Sequence, residues 1–255
     1  MPAPLFTLLP TRHTLLALSL LAAGGCSQRS PDATPCQVRI HDPAEPVNRT
    51  VFAFNRTFDD YLLAPLARGY SALPALMQAG AHNFAANFGE PKVFINDVLQ
   101  GNGERSMTTV ARFIVNTTLG VVGLVDVSGR MGLARHQADF GQTFGVWNIA
   151  DGPIVELPLL GTHNTRDAFG RVLSFAVDPL GDSDTVDALG TTATVANVVD
   201  GRSEALPLTD ALRQTPDYYA ALRDANAQRR LQLVSEAKAG KLGQTDFDCT
   251  PQERP

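Results

Sequence analysis

Residues 49–63, RTVFAFNRTFDDYLL, place Phe54, Phe58 and Leu62 four positions apart with Val51 alongside. Spacing of that kind draws one apolar stripe along a helix and is incompatible with strand alternation. Residues 72–88 repeat the pattern with Leu73, Leu76, Met77, Phe84 and Phe88, and Gly89 with Pro91 predicts a stop. Met107, Val110, Ala111 and Ile114 continue it, as do Phe169, Val172, Leu173 and Ala176 behind a predicted Thr165 cap. Thr215-Pro216-Asp217 predicts the opening of a last helix with proline first and an acid in its first turn. Alternating segments are scarce, so the expectation is an all-α fold of six to eight short amphipathic helices.

The chain of 255 residues is 44% apolar and 18% charged with net charge -5, enough to bury a core and a poor footprint for nucleic acid. Charge is unevenly spread. Residues 106–161 hold seven charges in 56 positions, whereas residues 201–255 hold sixteen in 55. The middle is therefore much less suited to water than the end. Inside it, LGVVGLVDVSG (119–129) is apolar yet broken by three glycines, and IVELPLLG (154–161) is broken by a proline. Both make poor helices and poor strands, which predicts either buried loops or segments at a lipid boundary.

The N-terminus predicts export, by lipid anchoring or, as the alternative, by ordinary secretion with cleavage nearby. Arg12 precedes about ten apolar residues, then Gly24-Gly25-Cys26, the layout of a bacterial lipoprotein signal with Cys26 as the acylated first mature residue. Ala23 stands where such signals favour leucine. Removing residues 1–25 leaves 255 - 25 = 230 residues; losing Arg12 leaves 20 basic against 26 acidic, a net -6. Residues 26–40 are expected to form a flexible tether, 41–239 the helical domain, and 240–255 a polar tail. In an oxidising compartment a Cys36–Cys249 disulfide would tie the two tails together, with free or intermolecular thiols as the alternative.

Catalytic patterns are missing: there is no GxSxG, HExxH, CxxC or P-loop. His136 and Asp139 read as solvated loop residues, and Asp59-Asp60, about 100° apart on a helix, should not share a site. No cofactor, metal or catalytic residue is expected, and the chain reads as a non-enzyme. Arg112, Asp126 and Arg130 lie in or near the apolar stretch, where they must be paired or wet. Asp42-Pro43-Ala44-Glu45 has the elements of a helix start, but Pro46 removes an early amide. Asn48 is therefore the expected cap of the helix proper.

The run Asp42-Pro43-x-Glu45-x-x-Asn48-Arg49-Thr50-x-Phe52-x-Phe54-Asn55 behind a lipidated cysteine resembles the MlaA/VacJ outer-membrane lipoproteins. The resemblance continues through Glu90-Pro91, Arg112-Phe113, Asn116-Thr117, Leu119-Gly120, Gly123-Leu124-x-Asp126 and Asp139-Phe140-Gly141-Gln142-Thr143 to Gln228-Arg229-Arg230, covering roughly residues 40–235. Pro46 replaces a usual glycine and Asn226 a usual tyrosine. The resemblance implies a ring of helices in the inner leaflet of the outer membrane around an amphipathic channel. It implies removal of misplaced phospholipid from the outer leaflet and delivery to a soluble periplasmic carrier, with a trimeric porin as neighbour. Ser27 after Cys26 is compatible with outer-membrane sorting. Within that frame Leu119, Gly120, Gly123, Leu124, Asp126 and Gly129 are the gate or ridge candidates, with glycine as the hinge. A structural envelope lipoprotein without transport is the alternative.

Overall fold

The computed structural model describes residues 40–177 and 184–240. Cys26, Cys36 and Cys249 lie outside them, as do the leader, nearly all of the tether and the tail beyond residue 240.

The described chain is mostly helical: α1 (Glu45–Phe58), α2 (Ala64–Ser71), α3 (Ala75–Leu99), α4 (Gly103–Thr118), α5 (Val127–Arg130), α6 (Phe140–Val146), α7 (Thr165–Ala176), α8 (Asp184–Leu212) and α9 (Tyr218–Ala239). A π-helical turn, Asp59–Leu63, joins α1 to α2. Two short strands, β1 (Ile154–Leu157) and β2 (Gly161–Asn164), pair antiparallel with Glu156 opposite Thr162. This hairpin falls on a segment read as unsuited to strands. Its three-residue turn, 158–160, takes Leu159 to positive φ (64°), and Gly161, which opens β2, follows at 82°, so the proline that breaks the pattern lies in the turn and the glycine at its end.

Three helices are longer than expected, with 25, 29 and 22 residues in α3, α8 and α9. α3 runs straight through Gly89 and Pro91. The proline costs one backbone bond, and side chains tie the same turn to α4: Asn87 Nδ2 donates to Thr117 Oγ1 (3.0 Å) and Arg112 Nε to Glu90 Oε1 (3.0 Å). Helix starts shift by a residue or two. Asn164, not Thr165, caps α7 by accepting from the Asp167 amide, and Asp217 caps α9 in place of serving in its first turn.

Polarity is inverted. Among the described residues eighteen buried side chains are polar or charged and twelve apolar, seven of those alanine, while thirty large apolar side chains are exposed. The helix stripes show how. On α4, Arg105, Thr109, Arg112 and Asn116 point inward and Met107 and Ile114 outward. On α7, Arg166, Asp167 and Gly170 are buried, while Phe169, Val172 and Phe175 are exposed. The apolar periodicity of the sequence therefore marks the outer face. A small alanine contact, Ala64 and Ala67 against Leu206, joins α2 to α8.

Hydrogen bonds and ion pairs hold the interior. Arg112 is 1% exposed and meets Glu90 at 3.0 Å and Asp126 at 3.2 Å. It is thus neither a helix-end charge nor pore lining, and Asp126 is shared with it. Asp97 accepts from Thr109 Oγ1 (2.7 Å) and pairs with His136 Nε2 (2.9 Å), so His136 is buried and not a solvated loop residue. Asp139 caps α6 with a full capping box and takes Arg230. Arg213 bridges Asp59 (2.9 Å) and Asp60 (2.5 Å), so these neighbours do share a partner. They occupy the π-helical turn, whose looser winding differs from the α geometry assumed for them. No described helix is long and apolar enough to cross a membrane.

Candidate functional site

α1 presents Asn48, Phe52 and Asn55 along its inner side, and Asp59, opening the π-helical turn, continues the stripe. The two asparagines finish the hairpin. Asn48 is buried, donates to the Ile154 carbonyl (3.1 Å) and accepts from the Glu156 amide (3.0 Å). Asn55 donates to the Leu157 carbonyl (2.9 Å) and accepts from the Leu159 amide (2.7 Å). Together they satisfy the free edge of β1 as a third strand would. Asn48 is therefore a mid-helix clamp; the N-cap position of α1 is Ala44, whose side chain makes no cap bond.

The other motif residues fasten this unit to α9. Asp42 Oδ1 accepts from Asn48 (2.7 Å), while Oδ2 accepts from the Tyr219 hydroxyl (2.6 Å) and Arg223 (3.2 Å). Arg49 binds Glu45 (2.8 Å) and both carboxylate oxygens of Asp217 (3.0 and 2.5 Å), with its guanidinium 4.7 Å from the Tyr219 ring centre. Phe52 packs edge-on to Tyr218 and Tyr219. Pro43 lies in the turn before α1, and Phe54 faces outward, exposed.

Behind the clasp lies a cavity of about 570 Å³ walled by α1, the hairpin, α7, α8 and α9. Its lining contains seven arginines (56, 171, 202, 213, 223, 229 and 230) and four carboxylates (Asp59, Asp139, Glu156 and Asp167), a balance of 7 - 4 = +3 in a chain of net -5. Phe52, Ile154, Leu160, Leu222 and Leu233 supply apolar wall. Arg202 grips Asp59 with both arms (2.6 and 2.8 Å), and Arg230 holds Asp139 and Asp167 together at 2.7–3.0 Å. Burial alone would lower the Arg230 pKa, but the two carboxylates raise it, so it stays charged. Glu156 differs: its oxygens take one bond each, from Asn55 (2.7 Å) and Thr162 (2.6 Å), and burial pushes its pKa up. Burial lowers that of His163, keeping the ring neutral.

None of the gate candidates lines this cavity. Leu119 and Leu124 are exposed, beside Val121 and Val122, whose positive φ values (54° and 57°) form a left-handed turn. The glycines stand at close approaches. A Cβ on Gly120 would lie 2.2 Å from the Val125 carbonyl, one on Gly123 (φ 90°) 2.5 Å from Asn87 Cβ, and one on Gly129 2.5 Å from Asp126 Oδ2. Asp126 caps α5, accepting from Gly129 N, Asn116 and Ser128 at 2.9–3.0 Å. Thus 119–129 forms a pinned, apolar knuckle on the outside.

His82, Asp200 and Glu204 also gather within 4.8 Å. Arg135 Nη1 sits 2.7 Å from His82 Nε2, and a guanidinium can only donate, so Nε2 accepts. The ring proton is then on Nδ1, given to Asp200 at 2.7 Å, which leaves no lone pair there for a cation. The sequence did not show these arginines as one cavity lining, because they are scattered over α1, α7, α8, the α8–α9 turn and α9, and only Arg229 and Arg230 fell in the motif. The one available signal was the arginine content of the charge-rich C-terminal quarter.

A model of the MlaA lipoprotein family matches residues 40–233. The chain is 33% identical over 233 residues to the Escherichia coli K12 intermembrane phospholipid transport system lipoprotein MlaA, covering 86% of each chain. The Haemophilus influenzae protein of the same name is 29% identical over 238 residues (89% and 92%), and an uncharacterized Rickettsia conorii protein 37% identical over 196 (74% and 76%). A solved structure reported under "Structural basis for maintenance of bacterial outer membrane lipid asymmetry" superposes with a TM-score of 0.66 at 33% identity, over 76% of this chain and 98% of that one. With the motif, the helical architecture and these likenesses in agreement, the chain belongs to the MlaA lipoprotein family.

Proposed function

We propose that this protein is a lipid-anchored component of an intermembrane phospholipid transport system, seated in the periplasmic leaflet of the outer membrane. It withdraws phospholipid misplaced in the outer leaflet through a polar, arginine-lined passage and releases it toward a soluble periplasmic carrier, beside a trimeric porin. The observation that carries this reading is the inverted polarity, with apolar side chains outside and a charged cavity within. A two-tailed lipid exposes some thirty methylenes to water, on the order of 20 kcal/mol at ~0.8 each. A passive route must keep tails against apolar wall or lipid while the headgroup follows charge. The exposed stripes of α1, α4 and α7 supply the first surface and the cavity the second. Helices too short in apolar length to cross the bilayer, yet apolar on one side, suit burial in one leaflet.

The test is deletion of the gene followed by measurement of surface-exposed phospholipid and detergent sensitivity. The expected result is a loss of asymmetry that the wild-type chain reverses and Ala227→Trp, which adds bulk to the cavity lining, does not. Full rescue by the folded tryptophan variant would favour a structural envelope role.

A further inference from the structure

Three of the four cavity carboxylates are matched by arginine: Asp59 by Arg202 and Arg213, Asp139 by Arg230, Asp167 by Arg166 and Arg230. Glu156 is 6% exposed and forms no ion pair among the described residues. A carboxylate has about four acceptor positions, and here two are filled, by Asn55 and Thr162. An uncompensated buried carboxylate is costly. Meanwhile Arg171, an exposed lining residue whose charge is felt by Asp139, makes no ion pair or hydrogen bond among the described residues. The cavity therefore offers one unmatched anion and spare cation together.

We infer that Glu156 reads the ammonium of a zwitterionic phospholipid headgroup, so that the cavity prefers a phosphoethanolamine head over an uncharged-alcohol phosphodiester such as phosphoglycerol. The inference rests on the proposed lipid passage and names its selectivity. The head's phosphate meets the arginines, and its ammonium supplies the counter-charge Glu156 lacks. Burial raises the Glu156 pKa, and an ammonium beside it opposes that shift and holds the carboxylate ionised. A phosphoglycerol head satisfies the arginines equally and leaves Glu156 unmatched. Positive charge alone would favour the more anionic lipid, and Glu156 reverses that order.

The full-length lipidated protein, in detergent, is mixed with vesicles of equimolar phosphatidylethanolamine and phosphatidylglycerol, re-isolated with washing, and its retained lipid counted by mass spectrometry. The expected result is about fivefold enrichment of the ethanolamine lipid, equivalent to ~1 kcal/mol. Glu156→Gln, which keeps an acceptor and loses the charge, brings the ratio to one or below while the variant still retains lipid. Glu156→Asp keeps the preference even if it melts at a lower temperature. Millimolar soluble phosphoethanolamine leaves the retained lipid in place; displacement by it would assign the site to a soluble ester and overturn the inference. Lipid retained without headgroup preference, or a preference that survives Glu156→Gln, overturns the inference alone. No lipid retained by the wild-type chain removes the transport reading with it.

Discussion

Arg112 and Glu90 meet at 3.0 Å in the interior, 1% and 4% exposed, between α4 and α3. Burial pushes the Glu90 carboxyl above its usual range despite the guanidinium beside it. Arg112→Met leaves that carboxyl without its hydrogen-bonded cation and Asp126 with Arg135 alone at 3.9 Å, and breaking a buried pair costs about 3–5 kcal/mol. The expected outcome is a fall of that size in denaturant melts in detergent. Combining it with Glu90→Gln should recover part of the loss, which a double-mutant cycle measures.

The asparagine clamp on β1 gives a second expectation. Asn55→Ala strips partners from the Leu157 carbonyl, the Leu159 amide and Glu156. At about 1–3 kcal/mol per unmet buried group, partly refilled by water, destabilisation of about 2 kcal/mol is expected. Faster amide exchange should be confined to the hairpin.

Asp126 sets an acid limit. Burial opposes its charge, but the Gly129 amide, Asn116, Ser128 and Arg112 outweigh that and hold its pKa at about 2. A depressed carboxylate stabilises the fold above its ordinary pKa, about 3.9, and loses that contribution as pH falls toward 2. Melts between pH 6 and 2 should therefore steepen below about pH 4, and Asp126→Asn should flatten that window.

Alanine at Gly123 meets both a left-handed backbone and Asn87 at 2.5 Å. The backbone costs about 1–2 kcal/mol and the crowding about 1–3 kcal/mol more. A lowered melting temperature is expected, with the α3–α4 contact loosened. An unaltered melt with altered transport would restore the hinge reading of this glycine.

Membrane seating is checked on a chain that cannot be acylated. Cys26→Ser protein should still float with vesicles through its apolar exterior. Leu76→Asp with Phe175→Asp, at exposed positions on α3 and α7, should move it to the soluble fraction with helicity kept.

Much of the helical layout was legible in the sequence, since the period of Phe54, Phe58 and Leu62 holds whichever way the stripe faces. Direction was harder. Ordinary burial would turn Phe54 inward; the charge-poor centre left buried loop and lipid boundary both open, and it was the family resemblance that implied lipid outside. Pro91 misled because a proline inside a helix costs little when Asn87 and Glu90 bind the next helix. The hairpin was hidden because the outer edge of β1 is met by Asn48 and Asn55, a hundred residues away, so beyond β2 it needed no further strand with alternating residues. The cavity was hidden for a related reason: Asp59 and Arg202 are matched only once α1 and α8 are side by side.

The inward stripe Arg105, Thr109, Arg112 and Asn116 turns the usual rule of mutational tolerance around. In a water-soluble helix the apolar positions are the exacting ones and the polar positions forgive. Here an outward Met or Ile needs only to be greasy, whereas inward groups such as Arg112 and Asn116 are each fixed by several specific partners. Saturation mutagenesis of α4 should therefore return a permissive oily side and an intolerant hydrophilic one.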